Sequence, residues 1–359
     1  LLSFRILIVK EMHNNFIKHF IVVLIIFSNQ SFGKEFNELF TIYTPVENSS
    51  KIESSINSSF NNLIFRISGS NSPSNIWRII NSGSTRKDFI ISYSIKNFDG
   101  MSFLEVKFNQ DKVISKFKEL SIPIIGYSRP VVLFLIEIES GTESSYFVSQ
   151  EAKNGLDTIF INSLDKLSKQ RGLFLEIPIL DLEDQKVLSN SNILSSPKDY
   201  LISKYNFDEL VDLKLINIGF NEWLFSGDIE RSISSNIYKK DIESIFEEYV
   251  ESIIPIVFQD LIIDTSNVFP ITIDVQGIAS YEDYKISKEK LLTLIEVTDL
   301  EILSFKNNII RYKANIMGDI SSLNREIRNN SFFKIYDYKN NEQLNLIYIK
   351  WVNILSLFQ

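Results

Sequence analysis

Cysteine is absent from the 359 residues, which excludes disulfides, thiolate nucleophiles and cysteine-ligated zinc or iron–sulfur sites. Histidine is nearly absent, and the two present, His13 and His19, both lie near the N-terminus. Glycine-rich phosphate loops are missing: neither Gly-x-x-x-x-Gly-Lys nor Gly-x-Gly-x-x-Gly occurs, which tells against nucleotide use. No Asp-x-Asn-x-Asp-Gly loop supports a Ca²⁺ site. Positive charge is in deficit, with Lys+Arg 37 against Asp+Glu 45, a net charge of −8 and a pI near 5.1. A phosphate backbone needs a basic face, so nucleic acid is not the expected partner. Apolar runs are short, and none approaches the ~20 residues that span a bilayer.

What remains is ordinary globular composition, 44% hydrophobic and 23% charged, over a length that predicts two or three domains of ~100–200 residues each. Met12 to Gly33 has the three parts of a secretory signal peptide. Lys18 gives a weakly positive start, Phe20 to Phe27 an uncharged apolar run, and Ser31 and Gly33 the small residues of a cleavage site. We therefore expect residues 1–33 to be a cleaved leader starting at Met12, and the mature chain to be exported to the periplasm. Losing Arg5, Lys10, Lys18 and Glu11 takes the net charge from −8 to −10. Both histidines leave as well, so neither a Ser-His-Asp triad nor a Cys-His dyad can be built. Without imidazole or thiol, no transition metal or other cofactor is expected.

Three units follow. Residues 34–121 read β-α-α-β-β-α. A strand ends at Pro45, Ile52, Ile56, Phe60 and Leu63 recur at helical spacing, and a short helix surrounds Trp77. Phe89, Ile91, Tyr93 and Ile95 then alternate, as do Leu104, Val106 and Phe108, across a turn at Asn97–Gly100. Residues 122–260 read β-α-β-α-β-β-α. Val131 to Ile138 is a nearly unbroken apolar run, as in a strand covered on both faces. Gly141 to Asn154 reads as a polar loop, and Asp181 and Asp184 fall in a polar linker. Ile242, Phe246, Val250 and Ile254 lie on the apolar side of the last helix. Residues 261–359 read β-α-β-β-α-β, with Leu344 to Trp351 as an added edge strand. The expected class is α+β, as serial small modules.

Five residues are candidates for a site. Asp181 and Asp184, with Glu183 between them, could do acid–base work or hold a divalent cation; a loop that caps a turn uses the same residues. Arg129 and Arg171 could recognise a carboxylate or phosphate; an internal salt bridge to Glu176 or Asp181 is the alternative. Trp223, like Trp77 and Trp351, could stack on a sugar, although each sits in an apolar pattern that fits core packing.

Ile122-Pro123-Ile124-Ile125-Gly126-Tyr127-Ser128-Arg129-Pro130 resembles the G-L-P-x-W-G-x-x-R-P segment of the DUF2066 family. Arg171-Gly172-Leu173-Phe174-Leu175-Glu176-Ile177-Pro178, continuing through Asp181 and Asp184, is similar to that family's R-G-L-P-L-x-x-P-x-x-D-x-x-D. Ser203–Asp208 and Trp223 fit a third block. Phe174 stands where the family favours Pro, and Phe225-Ser226-Gly227 replaces a Trp-rich stretch. The resemblance covers roughly residues 39–260 and implies a gammaproteobacterial envelope protein without assigned activity. The order of the middle unit resembles the anticodon-binding-like domain of envelope proteins such as the N-terminal domain of TolB. It implies a non-enzymatic module that touches envelope proteins, with peptidoglycan or another envelope glycan as the alternative partner. A carboxylate-based hydrolase using Asp181 and Asp184 ranks last.

Overall fold

A computed structural model describes residues 33–46, 52–70, 72–98, 101–141, 144–151, 155–189, 197–219, 222–234, 239–336 and 345–352. The expected leader, apart from Gly33, lies outside the described residues.

The first unit folds as its periodicity dictates. β1 (Lys34–Glu35) and β2 (Thr41–Pro45) precede α1 (Ile52–Ser68), whose buried Ile56, Phe60, Leu63, Ile64 and Ile67 return every three or four residues. After α2 (Ser74–Asn81) come β3 (Ile90–Phe98) and β4 (Met101–Phe108). Asn109 then caps α3 (Gln110–Glu119), accepting the Lys112 amide at 2.9 Å. The antiparallel sheet has the order β2-β4-β3. Ile42, Leu104 and Val106 share a core with Phe60 and Leu63 of α1.

β5 (Ile124–Ile125) and β6 (Ser128–Arg129) lead to β7 (Val131–Glu139) at the centre of the second unit. Then come β8 (Tyr146–Phe147), α4 (Gly155–Arg171), β9 (Phe174–Glu176), α5 (Leu182–Ser189) and α6 (Pro197–Lys204). β10 (Glu209–Gly219), β11 (Glu222–Gly227), β12 (Arg231–Ser234) and α7 (Lys239–Val257) complete it. The sheet runs β12-β11-β10-β7-β8, and β9 also pairs with β7; β9 and β10 are parallel to β7. The apolar run of β7 is explained by its two covers. Val132, Phe134, Ile136 and Ile138 pack with Phe160 and Leu164 of α4 and Phe246 and Val250 of α7. Val131, Leu133 and Leu135 pack with Leu188 of α5, Leu201 of α6 and Phe207.

Two readings of this unit are corrected. The expected loop over Gly141–Asn154 contributes β8, which pairs with Glu137 and Ile138, and buries Val148. The expected linker through Asp181 and Asp184 is the start of α5.

In the third unit β13 (Ile262–Ile263) precedes β14 (Val268–Gln276) and α8 (Tyr281–Thr293). β15 (Val297–Lys306), β16 (Ile309–Met317), α9 (Ile320–Asn329), β17 (Phe333–Ile335) and β18 (Leu346–Trp351) follow. The sheet order is β15-β16-β14-β18-β17. The strand ending at Trp351 is therefore interior and not an edge: it runs parallel to β14 on one side and antiparallel to β17 on the other. Its alternate residues Ile347, Ile349 and Trp351 are buried on the face that packs into the core of this unit. β14-α8-β15-β16-α9 repeats the connectivity of β2-α1-β3-β4-α3, with α2 inserted between α1 and β3, and β3 and β15 hold the same outer place. The class is α+β.

The three sheets belong to one compact unit that begins at Gly33. The segments expected as module boundaries are hydrogen-bonded to each other: β5 pairs with β13, and Thr265 donates to the Ile122 carbonyl at 3.0 Å. β1 pairs with β6. Ile263, Ile295 and Met317 complete the core of the first unit.

Candidate functional site

The two aspartates define one end of α5. Asp181 Oδ1 accepts the Asp184 amide at 2.8 Å, and Asp184 Oδ2 accepts the Asp181 amide at 2.9 Å, a reciprocal cap of the helix start. Lys204 donates to Asp184 and, at 3.4 Å, to Asp181; Tyr200 donates to Asp184 Oδ1. Burial pushes the Asp184 carboxyl pKa up, but hydrogen bonds from Lys204, Tyr200 and the Asp181 amide outweigh it and hold the group below its ordinary value. A general acid needs the opposite shift. The pair is the capping alternative, with a lysine added. Asp184→Ala removes half of the box and leaves Tyr200 and Lys204 without this acceptor. We expect a loss of about 2 kcal/mol in urea unfolding at pH 7. Because the folded pKa is depressed, this contribution is present above about pH 4 and fades as pH falls through the folded value.

The arginines are interior ties. Arg129 is fully buried and donates from Nε to the Gly126 carbonyl at 2.7 Å, from Nη1 to that of Arg66 at 2.8 Å and from Nη2 to that of Ile125 at 2.9 Å. It also lies over the Phe258 ring, 5.4 Å from the centroid. Arg66, in the stretch Phe65-Arg66-Ile67-Ser68-Gly69 that also resembles the DUF2066 family though no site role is read from it, is its neighbour. It donates to the carbonyls of Glu38 and Thr41 at 2.9 and 2.8 Å, and to those of Leu39 and Lys169. Burial lowers both guanidinium pKa values to about 9, with Arg66 adding repulsion at Arg129, and both remain charged at neutral pH. Arg171 pairs with Glu251, joining α4 to α7. The expected partners are taken elsewhere: Glu176 binds Lys34 at 2.6 Å and Asp181 binds Lys204. Gly172 follows Arg171 at φ +66°, and a Cβ there would strike the Arg66 side chain.

Two buried carboxyls complete this junction. Glu326 Oε1 accepts the Ser128 amide at 2.8 Å, and a Cβ at Gly126 would push its carboxyl out of this place. Burial raises its pKa to about 7, against hydrogen bonding from Ser128 and the charge of Arg129. Glu296 is fully buried, neither carboxyl oxygen meets a donor from another described residue, and burial followed by repulsion from Glu326 raises its pKa well above the usual range, against hydrogen bonding from its own amide. In sequence these residues stand apart in Arg66, Arg129, Glu296 and Glu326, with no local spacing to join them.

The tryptophans divide. Trp351 is core, stacked on Phe332 and donating to Asp283 at 3.2 Å. Trp223 is half-buried on β11 against the main core of the second unit. Trp77 departs from the core expectation and stands 58% exposed.

The larger departure lies on the outer strands. Ile91, Tyr93 and Ile95 of β3 are 66, 55 and 52% exposed, and Ile302, Leu303 and Phe305 of β15 are 46, 52 and 61% exposed. Tyr93 pairs with Val106 and Ile95 with Leu104, so these two side chains lie on the face whose neighbours are buried, while Ile91 falls at a bulge between Ile90 and Ser92. The core ends at β4, and β3 extends past it as bare apolar sheet.

Among the described residues, no helix is long and apolar enough to cross a membrane, and no group of three or more His, Cys, Asp or Glu is placed to hold a metal ion. No family model, curated protein or solved structure matches the chain.

Proposed function

We propose that the chain is a non-enzymatic, exported envelope protein that works by protein–protein contact, through the uncovered strands β3 and β15. The observation that carries this is the apolar exposure of both outer strands. Sheet edges are ordinarily blunted by charge or proline, because unpaired N–H and C=O groups recruit another chain. Here β3 has no proline and Lys96 is its one charged residue. The DUF2066-like segments, the leader-like N-terminus and the TolB-like order of the middle unit support the same reading. In-cell crosslinking of an epitope-tagged copy, followed by mass spectrometry, tests it. We expect a reproducible envelope protein whose capture is lost in Ile95→Lys or Phe305→Lys. Capture unchanged in both variants overturns the assignment to these strands.

The glycan alternative gains one observation, the exposed indole of Trp77. It requires pull-down with purified sacculi that is lost in Trp77→Ala or Trp223→Ala.

A further inference from the structure

The exposed strand of the first unit reads Ile91-Ser92-Tyr93-Ser94-Ile95, the same in both directions about Tyr93. An antiparallel pair of strands related by a two-fold axis normal to the sheet sets residue i against its mirror position about that axis. With the axis at Tyr93, Ile91 of one copy lies opposite Ile95 of the other, Ser92 opposite Ser94, and Tyr93 opposite itself. Every cross-strand pair then joins like surface to like, apolar on one face and hydroxyl on the other, which is the kind of pairing that stabilises a sheet. Charge does not oppose it. Lys96 is the one charged residue of β3, and the axis carries the two copies of it about 20 Å apart along the strands.

We propose that a second copy of this chain covers β3, joining the two three-stranded sheets into one six-stranded sheet with the order β2-β4-β3-β3-β4-β2. This rests on the contact reading above and names the partner at one of its two strands. The geometry accounts for the uncovered stripe. In the pair, Ile91, Tyr93 and Ile95 of both copies form the middle of a continuous apolar face, flanked on each side by the part that α1 already covers. β15 lacks this self-matching order, since its exposed run Glu301-Ile302-Leu303-Ser304-Phe305 has no mirror residue of its own kind at either end. It is left free for a different partner.

The absence of cysteine makes a direct test available in the full chain, because any introduced cysteine is unique. Paired residues in antiparallel strands have Cα atoms about 4.5–5.5 Å apart, inside the range a disulfide bridges. Tyr93→Cys should therefore give a covalent dimer on mild oxidation, at least about tenfold more than Lys96→Cys, whose twin is out of reach. Sedimentation of the unmodified protein across a dilution series should show a dimer. Ile95→Lys should be monomeric with an unchanged circular dichroism spectrum and the melting temperature of the unmodified protein diluted to monomer, and Phe305→Lys should remain dimeric. A monomer throughout, a dimer indifferent to Ile95→Lys, or equal crosslinking at positions 93 and 96 overturns the pairing. If self-pairing fails while in-cell capture of another protein still depends on Ile95, the contact reading stands and the second copy falls. If neither depends on Ile95, both fall at β3.

Discussion

Arg129→Ala should destabilise the protein by about 3–5 kcal/mol, the largest single loss expected from any residue considered. The guanidinium holds three buried carbonyls, those of Gly126, Ile125 and Arg66. Alanine strands all three in the interior and opens a void beside Phe258. Arg129→Lys should recover little, because one ammonium cannot span carbonyls that a planar fork meets at three separate nitrogens. Urea unfolding monitored by tryptophan fluorescence and by far-ultraviolet dichroism measures the loss. A change below about 1 kcal/mol would show that the carbonyls find other donors and that this tie is dispensable.

Glu296→Met should act in the opposite sense and stabilise the fold by about 1–3 kcal/mol at pH 7 to 8. The native carboxyl is fully buried and neither oxygen meets a donor from another described residue, so its desolvation cost is poorly compensated. Methionine fills a similar volume with nothing left to satisfy. The pH dependence follows from the direction of the shift. A carboxyl whose folded pKa is raised keeps its proton after the unfolded chain has released one. Wild-type stability therefore falls as pH rises above about 4.3. The variant lacks this slope, so its advantage should be small near pH 4 and grow towards pH 8. Glu326, raised to about 7, is present in both proteins and adds its own decline to each, ending near its folded value. Thermal melts of the two proteins at pH 4, 6 and 8 separate the cases. An advantage that is constant with pH would mean that Glu296 titrates normally.

Periodicity made most of the elements readable, because alternation and helical spacing record which side of a segment is dry. It could not record what dries it. Val131 to Ile138 and Ile91 to Ile95 were both read as strands, and both are strands, yet the first is sealed between two helical layers while the second stands in solvent. Asp181 and Asp184 show a local signal with two meanings: a carboxylate pair three residues apart serves a capping box as well as a catalytic pair, and the lysine and tyrosine that decide between them come from a helix some twenty residues on. Arg129 was visible as a motif residue, but its role was not, since its three acceptors are main-chain oxygens that no side-chain pattern encodes. Glu296 and Glu326 gave no sign at all, because only the tertiary fold brings them to the interior.

The placement of β18 sets a condition on folding. It is the last strand described, yet it lies inside its sheet, between β14 and β17. Until β18 docks, Ile271, Ile273 and Val275 belong to a half-built sheet whose open flank invites any passing strand. A copy that has not yet seated β18 is thus at its most adhesive, and this step is where a holding chaperone would serve the chain best.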